Sequence, residues 1–337
     1  MIASIVWDVD PILFKVGSWE VRWYGLMWGL GFILAYEMVS RLFKKEKYPE
    51  EWVDKLFVYC IVSTVIGARL GHCLFYEWDY YGAHPVEIFK IWKGGLASHG
   101  GVFAIILALM WYSKKVTRKS VWWLFDRMIP AVAIVCFCIR FGNLMNSEIF
   151  GYPTTLPWGF EFVRSREWHQ LYEGLPCHPT QIYEMLYCLV AGVTAWVMYH
   201  TYHLQKRVGL ITGVSLLIFF GTRFALEFMK NPQVAEEADM TFNIGQWLSV
   251  PLILLGAYLI ATSRTRKEYR FRERGEAGER IPFQPSGIAL YITCGARPFL
   301  SIFFSLLHWR SSLPAFVFSN PVKAQYSLQV IMECSFR

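Results

Sequence analysis

Seven apolar stretches, at about 24–43, 53–75, 98–113, 121–142, 180–202, 208–229 and 245–263, constrain this chain more than any other feature. A helix needs ~20 such residues to cross ~30 Å of hydrocarbon. Most of the seven reach that length, and the third is short. With 55% of its 337 residues hydrophobic and only 18% charged, the chain is too apolar for an ordinary soluble domain. The expected fold is an all-α integral membrane protein with seven transmembrane helices.

The distribution of the net charge of +7 carries the topology. Basic residues follow the first span (Arg41, Lys44, Lys45, Lys47), the third (Lys114, Lys115, Arg118, Lys119), the fifth (Lys206, Arg207) and the seventh (Arg264 to Arg274). The alternate loops hold few, and Lys230 there precedes the acidic Glu236, Glu237 and Asp239. The positive-inside rule then puts the N-terminus outside and residue 264 onward in the cytoplasm. On this reading the basic loops set orientation and are not nucleic-acid patches. The start carries Asp8 and Asp10 and lacks a basic region followed by a small-residue cleavage site, so no removable signal peptide is expected. The eight cysteines include no CxxC pair and mostly lie in apolar runs, as small core residues do.

One outer connection is long. Residues 144–178 carry Pro153, Pro157, Gly159, Gly174 and Pro176 among aromatics, the makeup of an ordered cap with tight turns. A small extracytoplasmic head is therefore expected between the fourth and fifth spans. The outer loop 77–97 is aromatic enough to lie in the interface. Residues 1–270 read as the membrane domain and 271–337 as an atypical tail, whose apolar run Pro298 to Trp309 is too short for a span.

The polar residues in or beside the spans all fall on the outer half. They are Tyr24, Arg69, His99, Arg140 with Asn143, Tyr183 with Glu184, and Arg223 with Glu227. Arg140 ends an almost uninterrupted apolar run from Ile129, a depth at which a charge is costly and marks a functional site. Spacings of three and four residues put Arg140 with Asn143, and Arg223 with Glu227, on shared helix faces. Three arginines at one depth suit an anion, since the guanidinium fork binds phosphate in bidentate fashion and stays charged when partly desolvated. Plainer roles stay open at this point. Arg223 and Glu227 can simply neutralise each other, Arg69 can snorkel outward, and His99 can be a residue at a helix start. His72, His178, Asn146 and Ser147 taken singly read as structural.

Seven segments, in order, resemble the bacterial prolipoprotein diacylglyceryl transferases over residues 15–265. They are Arg22-Trp23-Tyr24-Gly25-Leu26-Met27; Gly67-Ala68-Arg69-Leu70-Gly71; Gly94-Gly95-Leu96-Ala97-Ser98-His99-Gly100-Gly101; and Arg140 to Glu148 with Gly151. The others are His178-Pro179-Thr180-Gln181-Ile182-Tyr183-Glu184; Gly221-Thr222-Arg223-Phe224 to Glu227; and Gly245-Gln246-Trp247-Leu248-Ser249. Tyr152, Phe219 or Phe220, and Lys230 depart from the family pattern, and the tail has no counterpart.

The resemblance implies transfer of the diacylglyceryl group of phosphatidylglycerol to the lipobox cysteine thiol of a preprolipoprotein. A thioether forms and glycerol phosphate leaves, at the outer leaflet of the bacterial inner membrane. Under it, Arg140 and Arg223 hold the phosphate and stabilise the leaving group, and Asn143 and Tyr24 hydrogen-bond the head group. Arg69, Glu148, Gly151 and Glu227 join the phosphatidylglycerol site. His99 is the leading general base, with Glu148 or Glu227 as alternatives that orient an arginine instead. No cofactor or metal is called for, because arginines supply the positive charge. An intramembrane protease lacks its serine elbow or paired aspartates here, and an organic-anion transporter lacks an internal repeat.

Overall fold

The computed structural model describes residues 4–17, 19–91, 94–231 and 241–266. The expected tail from residue 271 lies outside the described residues.

The apolar stretches become α1 (Trp23–Lys45), α2 (Glu51–Phe75), α4 (Ser98–Tyr112), α5 (Val121–Met145), α7 (Thr180–His200), α8 (Leu210–Leu226) and α9 (Ile244–Ala261). Two short helices, α3 (Trp78–Ala83) and α6 (Arg166–Tyr172), sit in the connections. Six helices are long and apolar enough to cross a membrane, counting the 3-10 turn that extends α8 to Met229. α4 is not among them. Its 15 residues rise only ~22 Å before a π-helical turn at Ser113–Thr117. No more than 44% of any candidate span is buried inside the protein. The remaining apolar surface is what a lipid-facing helix presents.

Packing runs along the chain: α1 lies on α5, α5 on α7, α7 on α8 and α8 on α9, while α4 lies on α2. Small residues bring that last pair together. A Cβ on Gly67 would stand 2.6 Å from the Gly100 carbonyl oxygen, and one on Gly100 would stand 2.8 Å from the Gly71 Cα. Such close backbone approach is how helices associate where apolar burial gives no net drive.

The all-α expectation omits four short strands. β1 (Ser4–Val6) pairs in parallel with β4 (Gly159–Glu161), and β2 (Ile12–Val16) pairs antiparallel with β3 (Trp19–Arg22), just ahead of α1. The head over 144–178 therefore recruits the N-terminal segment. Trp7 donates from Nε1 to the Leu144 carbonyl at 3.0 Å and packs on Phe160. Phe150, Phe160, Phe162, Trp168 and Cys177 form the buried centre of the head. Three- to five-residue strands leave no hydropathy signal that competes with the spans, so the sequence concealed them.

The end opposite the head is tied by charge. Arg127 of α5 is 4% exposed and places Nε and Nη2 on Glu46 Oε2 at 2.9 and 2.6 Å and Nη1 on the Trp123 carbonyl at 2.9 Å. Tyr199 of α7 donates to the other Glu46 oxygen. Asp126 receives the Gly209 and Thr212 amides at 2.6 and 2.8 Å, so a carboxylate from α5 caps the start of α8.

Candidate active site

At the head end, α5, α7, α8 with the 3-10 turn that follows it, and two connections bring six charged side chains into a continuous chain. Arg140 of α5 sets Nε 2.8 Å from Oε2 of Glu184, a fully buried carboxylate at the start of α7. Glu184 Oε1 receives Lys230 Nζ at 2.7 Å, and Lys230 also reaches Glu227 Oε1 at 3.2 Å. Arg223 Nε lies 3.3 Å from the same Glu227 oxygen. Asn243, the N-cap of α9, donates to Glu227 Oε2 at 3.0 Å and so ties the last helix to the cluster.

Within the direct ion pairs, Arg140, Lys230 and Arg223 face Glu184 and Glu227, three cations against two carboxylates, an excess of one positive charge that Glu148, reached only through Asn143, offsets when ionised. Burial makes that excess consequential: with little water to screen it, an anion entering here gains far more than at a wet surface. Arg223 Nε is buried, and its 3.3 Å ion-pair contact with Glu227 lacks hydrogen-bond geometry. Buried donors ordinarily make well-formed hydrogen bonds, so a donor held only by a loose ion pair beside a surplus positive charge suits a ligand oxygen.

The sixth charge is Glu148. Asn143 Nδ2 donates to Glu148 Oε1 at 2.7 Å, Asn146 Nδ2 does so at 3.2 Å, and Asn143 Oδ1 accepts from Arg140 Nη1 at 3.2 Å. Glu148 thereby fixes which way the Asn143 amide points. Burial pushes the Glu148 carboxyl up to about 7, against the pull of the two amides and Arg140. The backbone around it is strained: Ser147 and Ile149 both take left-handed conformations, at φ 55° and 60°. For a β-branched residue such as Ile149 this is a true outlier, costing on the order of 1–3 kcal/mol.

The remaining expected residues divide. Tyr24 packs against Gly142, where a Cβ would fall 2.7 Å from its ring, so glycine there lets the tyrosine lie directly on α5. His99, exposed at the start of α4, is within electrostatic reach of Arg223. Gly151 does a backbone task. It bridges to Lys230, and a Cβ there would meet the Met229 carbonyl oxygen at 2.2 Å.

Arg69 is drawn away from the cluster. Its Nε and Nη2 donate to the Ile88 and Glu87 carbonyls at 2.8 and 2.7 Å, and Nη1 donates to Gly94 and Gly95 at 2.6 and 3.2 Å. Tyr81 lies under the guanidinium at 4.9 Å. Arg69 thus shapes the loop that leads into His99. Glu184 and Lys230 lie at the centre of the charge chain, though neither was given a role in the expected site. Glu184 stood in the outer polar set as a carboxylate opening an apolar span. Lys230 stood out only as a departure from the family pattern, since a lysine in a loop ordinarily reads as solvated.

Among the described residues, no group of three or more His, Cys, Asp or Glu side chains could hold a metal ion.

A multi-pass helical membrane protein with a buried cationic site under a small head is the class these features define. Residues 11–262 match the model of the prolipoprotein diacylglyceryl transferase family. The phosphatidylglycerol–prolipoprotein diacylglyceryl transferase of Porphyromonas gingivalis is 46% identical over 266 residues, covering 77% of this chain and 94% of that protein. Those of Chloroherpeton thalassium and Tolumonas auensis are 43% and 41% identical, covering 77% and 78% of this chain and 94% and 99% of theirs. The chain belongs to the prolipoprotein diacylglyceryl transferase family, whose members are transferases of lipoprotein maturation.

Proposed function

We propose that this protein moves the diacylglyceryl group of phosphatidylglycerol onto the lipobox cysteine of a preprolipoprotein. The lipid's glyceryl C–O bond to phosphate breaks, a C–S bond forms, the thiol proton passes to a base and glycerol phosphate departs with the electron pair. The relatives' names supply the two substrates. The observation that carries the reading is the surplus of cations over carboxylates in the ion pairs that link Arg140 to Arg223, with the buried Arg223 Nε held only by a loose ion pair to Glu227.

In this mechanism Arg140 and Arg223 grip the phosphate and stabilise the charge it gains on leaving. Asn143 and Tyr24 hydrogen-bond the head group. Glu227 orients Arg223, as its contacts with Arg223, Lys230 and Asn243 support. Glu148 orients Asn143. His99 takes the thiol proton within the electrostatic field of Arg223, which favours the thiolate. Arg69 and Gly151 act on the framework: Arg69 sets the loop before His99, and Gly151 holds the backbone at Lys230.

The protein sits in the bacterial inner membrane with its N-terminus and head outside, its site toward the outer leaflet and residue 264 onward in the cytoplasm. α4 with its π-helical turn, residues 98–117, serves as the seventh crossing. Family membership leaves no ground for the protease or transporter readings.

The test is an assay of membranes with labelled phosphatidylglycerol and a lipobox peptide. Label should join the peptide's cysteine, and Arg140→Ala or Arg223→Ala should lower its transfer about 100- to 1,000-fold; near-normal transfer by either variant refutes the phosphate clamp. His99→Gln should lower the rate and change the pH–rate profile, and an unchanged profile removes His99 as base.

A further inference from the structure

The mechanism leaves one strained and well-anchored feature without a task, the turn that carries Glu148. Ser147 and Ile149 flank it in left-handed conformations, and neither is glycine. Left to itself, such a turn would relax and swing the carboxylate away. Two side chains from the first residues of α7 oppose that. Thr180 Oγ1 donates to the Ile149 carbonyl at 2.7 Å, and Gln181 Nε2 donates to the Glu148 carbonyl at 2.6 Å. Both residues are fully buried, so water cannot substitute for them. Two successive carbonyls of a strained turn are thus held from one rigid helix terminus.

We propose that Thr180 and Gln181 are positioning residues for the transfer reaction, clamping the Ser147–Ile149 turn so that Glu148 stays on Asn143 and Asn143 stays on Arg140. The line runs from Gln181 to the Glu148 backbone, from the Glu148 carboxylate to the Asn143 amide, and from the Asn143 oxygen to the guanidinium. Each link is a direct contact. Thr180 and Gln181 touch no reacting atom. They act through the geometry of an arginine whose fork must meet the departing phosphate, where small misplacements are heavily penalised. The same helix start supplies Glu184, which holds the Nε of Arg140 from its other side. One turn of α7 therefore governs both supports of that guanidinium.

The inference rests on the proposed roles of Arg140 and Glu148, and the experiment separates the two levels. Purified Gln181→Met and Thr180→Val enzymes are compared with wild type for kcat, for KM toward phosphatidylglycerol, and for the pH–rate profile. Gln181→Met should lower kcat about 10-fold with KM little changed, and should move the inflection belonging to Glu148. The charged groups acting on that carboxyl are Arg140 and Glu167; neither is altered. Ile149→Gly supplies the rescue: glycine takes the left-handed conformation without strain, so Gln181→Met with Ile149→Gly should recover most of the lost kcat. Melting temperatures in detergent report folding separately.

Wild-type kcat and profile in both single variants would overturn the clamp. So would a loss that matches the loss of folded protein and is not relieved by Ile149→Gly. Glu148→Gln is the control for the underlying reading: if it alone behaves as wild type, the role of Glu148 falls and the clamp falls with it. If Glu148→Gln is impaired and the Gln181 and Thr180 variants are not, only the clamp falls.

Discussion

Two arginines on α5, thirteen residues apart in sequence, one buried and one partly exposed, are treated in opposite ways. Arg127 is saturated: both edges of its guanidinium meet Glu46 or the Trp123 carbonyl, and the Trp123 ring lies 3.9 Å from it. Arg140 shares its Glu184 with Lys230, inside a cluster with one positive charge to spare. Saturation makes a clamp that closes the bundle. A surplus makes a place for an anion, and depth in the membrane alone does not distinguish the two.

The largest expected effect tests this contrast directly. Arg223→Ala or Arg140→Ala should lower transfer about 100- to 1,000-fold, the usual loss for a preorganised donor to a developing anion, with the fold intact. Arg127→Met should instead destabilise by about 3–5 kcal/mol, as Glu46 loses its buried partner, while the folded fraction keeps its turnover. Lipid transfer and detergent melting curves measured on the same preparations check both, and a catalytic loss from Arg127→Met at full folding would break the comparison.

Lys230→Met sharpens it at the level of charge balance. The change leaves two cations against two carboxylates, so both phosphate affinity and stability should fall, the latter by about 3–5 kcal/mol. Adding Glu184→Gln restores the surplus of one and should recover part of each loss, read as inhibition by glycerol phosphate and as melting temperature.

A smaller effect concerns Glu148. Folded, its carboxyl holds a proton up to about 7, whereas the ordinary value is 4.5. The folded state binds more protons between those values, so this group makes stability fall as pH rises from about 4.5 to 7 and adds no further slope above. Glu148→Gln should flatten that slope, worth about 1–3 kcal/mol across the window; melting curves at pH 5 and pH 8 measure it. The smallest effect is expected from ending the chain after residue 270, which should leave transfer unchanged in the same membrane assay.

Much of the fold was legible because its signals are local. Apolar runs gave the helices to within a few residues, since twenty residues of hydrocarbon-compatible side chain have few other destinations. The link between Arg140, Asn143 and Glu148 was partly legible because a charge ending an apolar run is conspicuous and Asn143 shares its helix face. Arg69 was legible in the same way, but its pairing with the carbonyls of residues 87, 88, 94 and 95 was not. The short strands were hidden because β1 finds its partner more than 150 residues away.

By itself the sequence determined the membrane-spanning helical class, the end of the molecule where polar residues gather, and the residue types suited to a phosphate. Tertiary structure alone decided which of those charges are matched and which are left over. Glu184 meets Lys230 across 46 residues and Arg127 meets Glu46 across 81. Coulombic pairing and desolvation depend on distances in space, and no local pattern in the chain encodes them.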